Sequence, residues 1–252
     1  MSSNKFRIIA HRGSSYLAPE NTISSAKLAM QENADALELD IHLTKDNQIV
    51  VIHDSNIKRT SGINKFVKDL TLQQLKQYDF GLWKNKKWKN ERIPTLEEIF
   101  NIIPNNKSIF IEIKSGMECL SEIKKLILDG IILENQMVLM DFNFKTVLKA
   151  KAMFPSVEVL WLYEFEQFAT PKRKRVLLDN IIEIAVKNKI DGINIENIKQ
   201  LNADFIKRAN ECGLKCYCWT VDNYKRAKYL MDSGINGIAT NKPGWMKKKL
   251  NI

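Results

Sequence analysis

ALELDIHL, residues 36–43, reads as a β-strand with an unusual interior. Successive strand side chains point to opposite faces, so Leu37, Leu39 and Ile41 share one face while Glu38, Asp40 and His42 share the other. Charges facing into a sheet are costly unless something compensates them. Such a strand therefore marks both a piece of buried sheet and a place where chemistry is expected. Outward from it, apolar runs of the same kind recur along the chain: FRIIA (6–10), SIFIEIK (108–114), MVLMDF (137–142), EVLWLYE (158–164), GINIEN (192–197), KCYCWTV (215–221) and GIAT (237–240).

Helical patterns lie between these runs. Leu120, Ile123, Leu126 and Ile127 in one, and Ala203, Ile206 and Ala209 in another, recur at the three- and four-residue spacing of an amphipathic helix. Asn21-Thr22 and Asp222-Asn223 are suited to open helices, and Gly130, Gly213 and Gly234 to close them. Eight strands alternating with helices predict a parallel sheet, and about 250 residues suit a closed TIM (β/α)8 barrel better than an open doubly wound sheet. One stretch breaks the alternation. From about 55 to 94 the chain is rich in Lys, Asn and aromatics, with a short helix expected near LTLQQLKQY. It reads as an insertion between the second and third strands of a single domain spanning 1–252.

Composition narrows the function. The 252 residues are 44% hydrophobic and 27% charged, as in an ordinary globular chain, and no apolar run approaches the roughly 20 residues needed to span a bilayer. The N-terminal apolar segment IIA is too short for an export signal, so a cytoplasmic location is expected. Cys119, Cys212, Cys216 and Cys218 read as reduced core thiols. The net charge is +10, but 31 of the 39 basic residues are Lys, in scattered runs such as KNKKWK (84–89), KRKR (172–175) and KKK (247–249). Nucleic-acid readers rely on Arg and recognisable motifs; only eight Arg are scattered here and no such motif is found, so no nucleic-acid partner is expected. A solvated lysine surface with weak attraction to an anionic membrane surface or phosphate ligand accounts for the charge.

In a barrel, catalytic groups gather at the C-terminal ends of the strands. Those ends carry His11-Arg12-Gly13, then Glu38 and Asp40 with His53-Asp54 beyond a short run IVVI, then Glu112 and Lys114. Three carboxylates converging beside Arg and Lys suit a hard divalent cation together with a phosphate. Two flanking histidines would supply a proton acceptor and a proton donor.

These motifs resemble the glycerophosphodiester phosphodiesterase family: HRGSSYLAPENT, ELDIHLTKDNQIVVIHD and ERIPTLEEIF followed by IEIK, with the likeness continuing through FKTVLKAKAMFP, CWTVD and GIATNKPG. The resemblance implies a TIM barrel with a small insertion. It also implies metal-dependent hydrolysis of a small glycerophosphodiester to glycerol 3-phosphate and an alcohol. Glu38, Asp40 and Glu112 would bind one divalent cation, Mg²⁺ or Ca²⁺. His11 and His53 would be the acid/base pair, in an order left open, and Arg12 and Lys114 would hold the phosphate. Trp219 would form an aromatic wall against the glycerol or alcohol moiety, with core packing as its other reading.

Other positions carry weaker expectations. Glu20 and Asn21 either cap a helix or orient Arg12 or a ligand. His42 is expected to be structural. Trp161, Tyr163 and Glu196 are possible substrate contacts. Asn241 replaces the family's commoner aspartate at a position that reads as structural. A competing substrate class is a lysophospholipid or similar membrane-derived diester, its acyl chain covered by Phe66, Phe80, Leu82, Trp83 and Trp88. A non-catalytic basic binding protein is the third reading.

Overall fold

A computed structural model of the chain describes residues 6–166 and 169–252. Nine strands run in chain order: β1 (Arg7–His11), β2 (Ala36–Leu43), β3 (Ile49–Val51), β4 (Ser108–Ile113), β5 (Met137–Asp141), β6 (Glu158–Tyr163), β7 (Gly192–Glu196), β8 (Lys215–Trp219) and β9 (Gly237–Thr240). All but β3 pair in parallel, and the pairing of β1 with both β2 and β9 closes them into an eight-stranded barrel. The run IVVI, left unassigned by the strand count, contributes β3, which folds back antiparallel on β2 with Ile41 opposite Val51.

Alternation along each strand divides the apolar residues into two sets. Outward-facing ones, such as Leu37, Leu39, Ile109 and Ile111, pack under the helices. Inward-facing ones fill the barrel: Ile9, Ala36, Phe110, Val138, Met140, Leu160, Leu162, Tyr217 and Ala239. Near its middle Phe110 and Tyr217 meet edge to face at 5.2 Å, so the interior is plugged rather than open. Above this plug the inward positions become polar. Two residues past Ile9, Ala36, Phe110 and Ala239 stand His11, Glu38, Glu112 and Asn241. The site is thus the last layer of the barrel's own side-chain ladder.

The helices begin where their chemistry directs. Thr22 caps the helix Ile23–Gln31 through a reciprocal bond pair with Ser25, and Asn223 caps Tyr224–Asp232. The insertion returns on itself, with Val51 N–H bonding Pro94 O at 2.9 Å. It contains the expected short helix at Leu72–Leu75. It also buries a small core of its own around Ile57, Val67, Leu75, Phe80 and Ile93. Cys119, Cys216 and Cys218 are buried free thiols, whereas Cys212, expected in the core, is exposed just past the helix Ala203–Glu211. Among the described residues no helix is long and apolar enough to cross a membrane.

Candidate active site

The turn after β1 aims the backbone N–H and the guanidinium of Arg12 at neighbouring carboxylates. Arg12 and Gly13 both have positive φ, 55° and 83°. A Cβ on Gly13 would come within 2.6 Å of Ser25 Cβ, so only glycine fits between this turn and the first helix. With the backbone so turned, Arg12 N–H donates to Glu38 Oε2 at 2.8 Å, and its guanidinium Nε lies 3.2 Å from Asp40 Oδ2. Its Nη1 donates to Glu20 Oε1 at 3.0 Å.

Glu38, Asp40 and Glu112 come together as the register requires, Asp40 lying opposite Glu112 on neighbouring strands. Each offers an oxygen within 4.8 Å of the others, and all three residues are buried. Lys114 Nζ is paired with Glu112 and lies 3.5 Å from Asp40 Oδ1. That Asp40 oxygen accepts no hydrogen bond. Burial would raise the Asp40 carboxyl, but Arg12 and Lys114 outweigh it and hold the group well below the usual carboxylate range. Burial, with the negative charge of Asp40 added, drives Glu38 and Glu112 upward instead. A buried carboxylate triad with an orphaned oxygen fits a hard divalent cation, for which oxygen donors are the natural ligands. Glu38, Asp40 and Glu112 would hold it.

The histidines stand on either side of this cluster. His11 Nδ1 is 2.8 Å from Asn241 Oδ1, and its Nε2 is 4.0 Å from Glu38 Oε2. Burial, and then the Arg12 charge, lower its pKa. His53 Nδ1 is bonded to Asp54 Oδ1 at 2.7 Å. His42 does not face the cavity. It bonds Ser115 Oγ and the His53 carbonyl, both at 3.1 Å, and so holds the backbone under its neighbour.

A cavity of about 370 Å³ opens above the cluster, and His11, Arg12, Glu38, His53, Glu112, Lys114 and Trp219 all line it. Trp219 packs edge to face on Phe142 and donates from Nε1 to Asn194 O at 3.3 Å, so it is at once wall and packing. Trp161, Tyr163 and Glu196, considered as substrate contacts, do not line the cavity. The first two stack with Phe144 and Phe165, and Glu196 accepts Phe165 N–H at 3.0 Å. The cap for the first helix is Thr22, which frees Glu20 and Asn21 for the orienting role. Asn21 Nδ2 donates to Asp40 Oδ2 at 2.8 Å.

Sequence reasoning passed over four residues. Asn241, read as merely structural, holds His11. Asn194 and Glu164 line the cavity and follow from the same strand alternation that found Glu38. Arg59, in the insertion, donates to both Glu20 and Asp54. Nothing in its local sequence points there, because the partners are 39 and 5 residues away.

Comparison with known proteins agrees with this geometry. Residues 11–245 match the glycerophosphoryl diester phosphodiesterase family. The chain is 33% identical over 243 residues, 95% of each chain, to the glycerophosphodiester phosphodiesterase of Caldanaerobacter subterraneus subsp. tengcongensis. It is 30% identical to that of Bacillus subtilis, covering 98% of this chain and 87% of the relative. An Oleispira antarctica phosphodiesterase, solved with the product sn-glycerol-3-phosphate, superposes with a TM-score of 0.83 at 25% identity, covering 98% and 97% of the two chains. With its barrel closed and its three carboxylates converged under two histidines, this chain belongs to the glycerophosphoryl diester phosphodiesterase family.

Proposed function

We propose that the chain hydrolyses small glycerophosphodiesters to glycerol 3-phosphate and an alcohol. It would use one divalent cation, Mg²⁺ or Ca²⁺, on Glu38, Asp40 and Glu112. The observation carrying this is the cavity that brings Glu38, Glu112, both motif histidines, Arg12 and Lys114 together, with Asp40 buried against the two glutamates. A phosphodiester brings one negative charge and gathers more on its oxygens as it is attacked. Arg12 and Lys114 would meet that charge with fixed cations, so little reorganisation is needed as it develops. The bound cation would add Lewis-acid stabilisation of the same oxygens.

The hydrogen bonds support a division of labour between the histidines. The Asn241 amide nitrogen is already committed to Asp222, so its oxygen faces the ring and His11 carries its proton on Nδ1. The Nε2 lone pair is left to take the proton of the attacking hydroxyl. His53 is instead held at Nδ1 by the Asp54 carboxylate, which fixes its ring for the complementary role, passing a proton to the leaving alkoxide. Each transfer is worth roughly 10²- to 10⁴-fold. The test is phosphate-bond cleavage of glycerophosphocholine with Mg²⁺ or Ca²⁺. Turnover abolished by chelator and by His11→Ala or His53→Ala is expected. No turnover, or full activity in excess chelator, would count against the assignment.

The lysophospholipid alternative finds less support. None of Phe66, Phe80, Leu82, Trp83 and Trp88 lines the cavity, and Phe80 is buried in the insertion's own core. Weak association with an anionic membrane surface has a specific observation behind it. Exposed Tyr16 and Trp245 flank Lys242, whose Nζ lies 4.3 Å from the Tyr16 ring centroid, beside the mouth of the barrel. Flotation with phosphatidylglycerol vesicles at low salt tests it, and equal binding to neutral vesicles would refute it. Buried free thiols suit a reducing compartment, the cytoplasm.

A further inference from the structure

Among the described residues Asn194 is the one amide lining the cavity, and its bonding is incomplete. The residue is 2% exposed, yet its Oδ1 accepts no hydrogen bond. Its Nδ2 has only the Met140 sulfur, at 3.5 Å, and a thioether is a weak acceptor. Exchanging the amide's oxygen and nitrogen would not help, since the same surroundings would then leave a donor stranded. Buried polar groups are nearly always bonded, and leaving one unbonded costs stability. An apolar side chain of the same size would fill this space at no such cost, and the neighbours Met140, Leu162 and Ala239 are already apolar. The geometry therefore asks for a partner that arrives with the ligand.

That partner must both donate and accept, because the amide presents an acceptor oxygen and a donor nitrogen in a fixed fork. A hydroxyl does both, and a pair of hydroxyls on adjacent carbons would engage the two amide atoms together. The rings of Trp219 and Phe142 form the cavity wall next to Asn194 and would cover the carbon skeleton between the hydroxyls. Arg12 and Lys114 occupy the cavity's other side and would take the phosphoryl oxygens. We propose that Asn194 is a specificity-determining residue. It reads the free hydroxyls of the polyol esterified to the phosphate, and so selects glycerol-like diesters over phosphodiesters of simple alcohols. The inference rests on the reading of this cavity as a phosphodiester site, and extends it by assigning the polyol end.

The experiment compares wild type, Asn194→Leu and Asn194→Thr by calorimetric titration with three probes in the presence of Mg²⁺: sn-glycerol 3-phosphate, propyl phosphate and inorganic phosphate. Losing a buried hydrogen-bonding fork is expected to weaken glycerol 3-phosphate binding about 10- to 100-fold in Asn194→Leu, while the other two probes change less than about twofold. Asn194→Thr, which keeps a hydroxyl in place of the amide, is expected to fall between. A second readout separates this role from a packing role: Asn194→Leu should melt at or above the wild-type temperature, since it removes an unbonded polar group. Equal weakening of all three probes, or of none, would overturn the inference, as would a lowered melting temperature with unchanged discrimination. If wild type binds inorganic phosphate but prefers glycerol 3-phosphate no more than propyl phosphate, the polyol assignment fails and the phosphate site stands. If wild type binds none of the probes, the site reading fails and the inference falls with it.

Discussion

Asn241 Oδ1 lies 2.8 Å from His11 Nδ1, and the oxygen is held there from behind. Asn241 Nδ2 donates to Asp222 Oδ2 at 2.6 Å, while Asp222 Oδ1 accepts Asn241 N–H at 2.8 Å and Thr240 Oγ1 at 2.7 Å. A carboxamide with its nitrogen committed in this way can only accept from the imidazole. It therefore selects one tautomer and aims Nε2 at the cavity. A carboxylate at the same position would accept too, but it would also stabilise the charged ring. The neutral amide agrees with the lowered pKa of His11, caused by burial and then by Arg12.

Asn241→Leu is expected to lower kcat about 10- to 100-fold with KM little changed, the usual cost of losing a partner that orients a reactive histidine. Nitrogen-15 NMR of the imidazole gives a readout that packing alone would not move. The wild-type ring should be protonated at Nδ1, and the variant should show a mixture. An unchanged kcat, or a variant ring still held at Nδ1–H, would refute the role.

Arg59 ties the two histidine motifs together. Its Nε donates to Asp54 Oδ2 at 2.6 Å, and its two terminal nitrogens donate to Glu20 at 3.0 and 2.8 Å. Glu20 also accepts from Arg12, and Asp54 holds His53. Arg59→Ala should leave both carboxylates without their shared cation and lower kcat about tenfold or more. Arg59→Lys should recover only part of it, because an ammonium cannot reproduce the fork. Steady-state kinetics with melting curves decide this, and a kcat within twofold of wild type would remove Arg59 from the machinery.

The barrel and its site differed in how visible they were in the sequence. Strand alternation exposed Glu38, Asp40 and Glu112 because inward charges contradict the pattern around them. The same rule applied to GINIE would have exposed Asn194, but an asparagine interrupts an apolar face less conspicuously than a glutamate. Arg59 and Asn241 were not legible as site residues, since their roles depend on tertiary proximity. Asn241 meets His11 from 230 residues away, only because closing the barrel puts β9 beside β1. Cys212 was misplaced for a simpler reason: it follows the last turn of its helix, where the apolar periodicity no longer constrains which way a side chain points.

Glu20 should make acid stability depend on the same ion network. Burial would raise its pKa, but the bonds from Arg59 and the charge of Arg12 outweigh burial and lower it. A carboxyl whose folded pKa is depressed contributes stability that is fully present above its unfolded pKa. That contribution is lost as pH falls through the folded value. Wild type should therefore lose melting temperature more steeply than Glu20→Gln between about pH 5 and pH 3, the two curves converging at the acid end. Parallel curves across that interval would show that the network carries no net stability.

The carboxylate triad makes a separable prediction about metal. Glu38 accepts one backbone hydrogen bond from Arg12 but is buried beside Asp40, and both burial and that neighbour oppose its charge. Without a cation, an amide should be accepted there more readily than a carboxylate, since it removes a like-charge contact. With a cation, the carboxylate should be required. Glu38→Gln is thus expected to melt at or slightly above wild type in chelator. Wild type alone should rise on adding Mg²⁺ or Ca²⁺, by about 2.7 kcal/mol of stability at a hundredfold excess over Kd, or roughly 5–10 °C for a chain of this size. Turnover of glycerophosphocholine should fall at least about a hundredfold in the variant, as expected when a group stabilising transition-state charge is removed. A melting temperature unmoved by either cation in wild type, or raised equally in Glu38→Gln, would place the metal elsewhere. Asp40→Asn supplies the contrast: Asp40 pairs with Arg12 and Lys114, so its neutralisation should lower the melting temperature even in chelator.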